Sequence, residues 1–103
     1  MGKNNSINSL SKVIGSVVIH RLLAKHTHKT ESISYLKNEI KEYASNALEK
    51  SQEFNWNEED KLKIMEESAK NVKRIKEIKY PDVSMLDSEI ESEVSNFMDE
   101  LNI

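Results

Sequence analysis

The chain has no cysteine, one proline and two glycines in 103 residues. Without a thiol there is no disulfide, no thiolate metal site and no cysteine nucleophile. The absence suits a reducing compartment, and a cytoplasmic location is expected. So few glycines and prolines leave few backbone breaks, which favours long helices over strands and tight turns. Long apolar runs are missing too. None is longer than the three residues of Val17–Ile19, and polar or small residues at Gly15, Ser16, His20 and Arg21 interrupt its surroundings. A membrane-spanning helix needs about 20 apolar residues, so no span is expected.

Charge is missing by region. Residues 1–30 hold no acid, and Lys3, Lys12, Arg21, Lys25 and Lys29 make them +5. Residues 81–103 hold no base, and Asp82, Asp87, Glu89, Glu91, Glu93, Asp99 and Glu100 make them −7. The whole chain is only −3. Such polarity marks either a surface for a charged partner or two segments that neutralise each other within one small domain. Internal neutralisation is the expectation.

The composition, 37% hydrophobic and 32% charged, is that of a folded domain. Its densest apolar stretch is Ile7–Ala24. At helical spacing Ile7, Leu10, Val13, Ile14, Val17, Val18 and Ala24 form one broad face, and Ile19 and Leu23 lie on the opposite side with Lys12 and Ser16. A helix apolar on two sides is central, or is shared with a partner. Gly15 inside it costs about 1 kcal/mol of helix propensity and permits another helix to approach closely.

Three more amphipathic segments follow. Ile33, Leu36, Ile40, Tyr43, Ala44, Ala47 and Leu48 make a single stripe. Asn57 caps the next segment, with Glu58, Glu59 and Asp60 in the dipole-favoured first turn, and Leu62, Met65, Ala69, Val72 and Ile75 follow, with Ile64 and Ile78 beside them. Tyr80–Pro81 ends it. Ser84–Asp87 resembles a capping box, ahead of Leu86, Ile90, Val94, Phe97, Met98 and Leu101. The fold predicted is all-α: a compact four-helix domain at 7–103, mostly antiparallel with short connections and the first helix central, behind a flexible 1–6. The helices span about 8–25, 32–51, 58–79 and 85–101.

Candidate chemistry is sparse. His20, His26 and His28 lack the spacing and nearby carboxylates of a zinc site, so neither metal nor cofactor is expected. Arg21–His26 has the R-x4-H spacing that resembles the motif of the HEPN-type helical ribonucleases. In that family the pair implies acid–base chemistry and phosphate stabilisation across a dimer. The resemblance covers six residues, lacks the polar residue after the arginine, and lies at the end of the first helix rather than late in the chain. No catalytic pair is assigned and no enzyme is expected. Met1–Ser6 matches the M-G-x-x-x-[ST] pattern, and N-myristoylation is not expected from so short a signal. Phe54 and Trp56 suit the plug of a bundle end.

The function expected is a non-catalytic protein-interaction module of adaptor, assembly or inhibitor type. Its interface is placed at Ile19 and Leu23, with Glu89 and Glu93 of the acidic last helix as a second surface. The occupant is a protein partner or a second copy of the chain. The alternative is nucleic-acid binding through Lys12, Arg21, Lys25, His26, His28 and Lys29, which needs only clustered cations for phosphate. No aromatic residue lies in 1–34 to stack on bases.

Overall fold

Four α-helices form in chain order: α1 Lys3–His26, α2 Thr30–Ser51, α3 Glu58–Lys79 and α4 Asp87–Glu100. The computed structural model describes residues 3–26 and 30–103. His28, Lys29 and the first two residues of the myristoylation pattern lie outside that range. Helices of 22 to 24 residues set the long dimension of a body 40 × 24 × 22 Å across.

The arrangement follows from what α1 must cover. It packs against each of the other three helices, whereas α2, among the described residues, touches only α1. The Lys3–Asp60 and Ser11–Ile64 contacts, with Gly15 against Ser68 and Asn71, advance in the same direction along both helices. So α1 and α3 run parallel. The contacts of Arg21 with Glu100, Lys25 with Glu93 and His26 with Glu89 run in opposite directions, so α4 is antiparallel to α1. The result is a trio of α1, α3 and α4, with α2 laid along the other side of α1.

That placement corrects the expected interface. Ile19 is 1% exposed and Leu23 9%, both within the continuous core of Leu10, Ile14, Val18, Leu22, Ile64, Val72, Val94 and Phe97. The two apolar faces of α1 are both covered, because α1 has neighbours on both sides. Close approach of α3 makes this geometry work: at Gly15 there is no side chain to hold the parallel helix off, and the Ser11 hydroxyl donates to the Ile64 carbonyl at 3.5 Å.

Several local details differ from expectation. α1 begins at Lys3 rather than near residue 8, because nothing at Asn4–Ser6 stops the helix and Lys3 is tied to Asp60 at 2.7 Å. On α3 the core residues are Ile64, Ser68, Ala69 and Val72, while Leu62 and Ile78 are exposed. The buried stripe is rotated toward α1. α4 starts at Asp87 with Leu86 as its N-cap and no side-chain cap, so the Ser84–Asp87 box does not form. At Asn57 the cap is as expected. Its side chain accepts from the Asp60 N–H at 2.8 Å, and the Asp60 carboxylate accepts from the Asn57 N–H at 3.2 Å.

Candidate functional site

The basic end of α1 is built into an ion cluster with α4. Glu89, Glu93 and Glu100 fall on one edge of α4 at helical spacing, and that edge faces α1. Arg21 donates two parallel hydrogen bonds to Glu100, at 2.7 and 2.8 Å, and lies 3.5 Å from Glu93. Its guanidinium also sits 4.8 Å above the ring of Phe97. Lys25 reaches Glu93 at 3.1 Å and His26 reaches Glu89 at 3.2 Å. Glu93 is only 8% exposed, and it meets both Arg21 and Lys25.

Hydrogen bonding to Glu100 raises the Arg21 pKa further, and the same contact with Arg21 holds the Glu100 carboxyl below its ordinary value. Part of the positive segment, Arg21, Lys25 and His26, is therefore paired with part of the negative one, Glu89, Glu93 and Glu100, across the α1–α4 seam. The outer face of α4 mixes the acids Asp87, Glu91 and Asp99 with Ser88, Ser92 and Asn96. Glu89 and Glu93 are turned inward, which corrects the expectation that they offer an acidic docking surface. Of the candidate nucleic-acid residues, Arg21, Lys25 and His26 are engaged with carboxylates. Lys12 stands exposed farther along α1, beside Glu67 and Asn71. His20 donates from Nδ1 to the Ser16 carbonyl at 2.6 Å and lies 5.5 Å from the Tyr43 ring. Among the described residues no group of three histidines, aspartates or glutamates is placed to hold a metal ion.

A different site is assembled at the end of the bundle where α2 and α4 finish and α3 begins. Here lies an open groove of about 460 Å³, a volume in the range of ligand and side-chain pockets. Each wall has a local cause. The last turn of α2 is closed by the Ser51 hydroxyl donating to the Leu48 carbonyl at 2.7 Å, and the Trp56 indole N–H donates to the Ser51 carbonyl at 2.8 Å. That bond folds the connection back, so Trp56, 9% exposed, forms part of the lining and Phe54 leans on it with ring centroids 5.4 Å apart.

The facing wall is the end of α4. Asn102 takes the left-handed conformation (φ 61°) and ends the helix, with the Asn102 N–H bonded to the Asp99 carbonyl and the Ile103 N–H to Met98. This is the Schellman pattern, and it turns Ile103 back toward the bundle. Leu48, 45% exposed, forms the lip of the groove, and Leu101 and Ile103 complete its apolar lining. Ser51, Gln52, Asn55, Lys61 and Asn102 are its polar lining residues.

Sequence reasoning singled out Phe54 and Trp56 but missed Asn102 and Ile103. An asparagine just past the last apolar position of a helix is the signal that marks such a stop. No helix among the described residues is long and apolar enough to cross a membrane. No protein-family model, curated protein or solved structure matches the chain.

Proposed function

We propose that this chain is a small non-catalytic protein-interaction module that docks its partner in the groove between the α2–α3 connection and the end of α4. One observation carries the reading: apolar side chains at Leu48, Phe54 and Ile103 are left uncovered or half covered around a preformed depression, next to the buried indole of Trp56. Exposed apolar groups gathered around a concavity mark a binding surface more strongly than the same groups scattered singly. Among the described residues the other large exposed apolar ones, Tyr35, Leu62, Ile78 and Leu86, belong to separate elements or opposite ends of α3. A cytoplasmic setting is in keeping with the lack of cysteine. The alternative reading, nucleic-acid binding, is weakened by the engagement of Arg21, Lys25 and His26 with carboxylates of α4.

Trp56 is the sole tryptophan and lines the groove, so its fluorescence reports occupancy directly. Displayed peptides selected on the native protein and counter-selected on the Leu48→Glu variant test the proposal. Peptides that bind the native chain alone and shift Trp56 emission support it. A selection that yields only peptides held equally by both proteins overturns it. Sedimentation of the isolated chain distinguishes a heterologous partner from a second copy: a dimer lost in Leu48→Glu assigns the groove to self-association.

A further inference from the structure

Resting on that reading, we infer that the first turns of α1 form a clasp that sets one wall of the groove, so that releasing the clasp weakens binding there. Gln52, Phe54, Asn55 and Trp56 of the lining all lie in the connection between α2 and α3. The shape of the groove therefore depends on how that short segment is held. From within, the Trp56 indole N–H bonds to the Ser51 carbonyl, and Asn57 and Asp60 close the capping box.

A separate element holds the connection from outside. Lys3 and Ser6 share a face of α1 with Ile7, which is sunk in the core. On that face Lys3 reaches the Asp60 carboxylate at 2.7 Å, and the Ser6 hydroxyl donates to the Glu53 carboxylate at 3.5 Å. The two contacts straddle Phe54–Trp56, since Glu53 stands just before that stretch and Asp60 in the first turn of α3 just after it.

Asp60 is where the inner and outer bonds meet. Its Oδ2 accepts from both the Lys3 ammonium and the Asn57 N–H, at 2.7 and 3.2 Å. The Lys3 bond holds the Asp60 carboxyl below its ordinary value, desolvation opposes that, and the Asn57 N–H adds to the lowering. The Lys3 side chain is 39% exposed against 16% for Asp60, so a change of charge at Lys3 reaches the groove wall without touching the core. Loss of that charge leaves Asp60 without its outer partner and loosens the turn at Asn57, and with it the adjoining Trp56. A loosened wall must be ordered again when a partner binds, and that cost lowers affinity.

Trp56 reads the clasp with no ligand present. In Lys3→Met/Ser6→Ala, hydrogen exchange of the indole N–H should quicken about two- to fivefold, the range that an exposed ion pair supplies. Acrylamide should quench Trp56 emission more strongly, while the amides of Ile14–Val18 exchange as in the native chain. Lys3→Met and Asp60→Asn together should loosen Trp56 less than the two changes predict separately, because they cut the same bond. Displayed peptides that prefer the native chain to Leu48→Glu should bind Lys3→Met/Ser6→Ala about two- to fivefold more weakly.

Unchanged exchange and quenching at Trp56 overturn the clasp and leave the groove reading standing. Exchange that quickens equally at Ile14–Val18 traces the effect to the whole fold and overturns the clasp as well. A loosened Trp56 with undiminished peptide affinity separates the clasp from the groove, which also overturns the inference. A loosened Trp56 in a protein that selects no such peptide overturns the groove reading, and the control of binding falls with it.

Discussion

A methyl group on Gly15 would stand 2.9 Å from the Cβ of Asn71, closer than folded proteins allow, and 3.5 Å from the Ser68 carbonyl. The obstructing atom is at the root of a side chain, so no rotamer change removes it. Gly15→Ala gains about 1 kcal/mol of helix propensity but incurs an overpacking cost of about 1–3 kcal/mol. A net loss of about 1 kcal/mol is expected in urea unfolding. Asn71→Gly added to Gly15→Ala should recover more stability than the two single changes predict, because it removes the colliding atom. Additive effects would show that α3 does not press on Gly15.

The Arg21–Glu100 pair makes stability depend on acid in a defined direction. Glu100 has its pKa lowered in the fold, first by the Arg21 hydrogen bond, and Asp60 is lowered by Lys3. Carboxylates shifted this way contribute stability above their ordinary values of 4.5 and 3.8 and lose it as pH falls through the lower, folded ones. Stability should therefore be level near neutrality and decline below about pH 4.5. Arg21→Met should flatten the Glu100 part of that decline. At neutral pH it should cost about 1–2 kcal/mol, since Glu93 keeps only Lys25. A variant with an unchanged acid limb would remove this account of the α1–α4 seam.

Ile19 and Leu62 offer a direct contrast in burial, at 1% and 58% exposed. Ile19→Ala should lose about 2–4 kcal/mol through lost transfer energy and an unfilled cavity. Leu62→Ala should stay within about 0.5 kcal/mol of the native chain. Similar losses at the two sites in denaturant titrations would place the edge of the core elsewhere.

Because α2 rests on α1 alone, its backbone amides should be the least protected of the three long helices in hydrogen exchange. The slowest amides are expected in α1 around Ile14–Val18, where every residue but Ser16 is buried. Equal protection along α2 and α1 would mean that the two open only together.

Four helices, the Asn57 cap and the stop at Tyr80–Pro81 were legible in the sequence, since each depends on neighbours a few residues away. So was the central place of α1. The free face assigned to Ile19 and Leu23 was not there. Apolar spacing reports how much of a helix must be covered but not how many neighbours cover it, and the number was decided by Ser11 and Gly15 admitting a parallel α3. The acids Glu89, Glu93 and Glu100 could be counted, yet which side of α4 they faced depended on where Phe97 and Val94 met the core. The groove was hidden for a plainer reason. Leu48, Trp56 and Ile103 meet only after three chain segments have been brought to one end of the molecule.

The parallel course of α1 and α3 has a consequence for α2. A chain that has climbed through α1 and must begin α3 beside α1's starting point has to be carried back the whole way. With 22 residues against the 24 of α1, α2 is the strut that measures that return. Shortening it by one turn would deliver Asn57 about 5 Å short, and Ser68 and Asn71 would slide past Gly15 instead of seating on it.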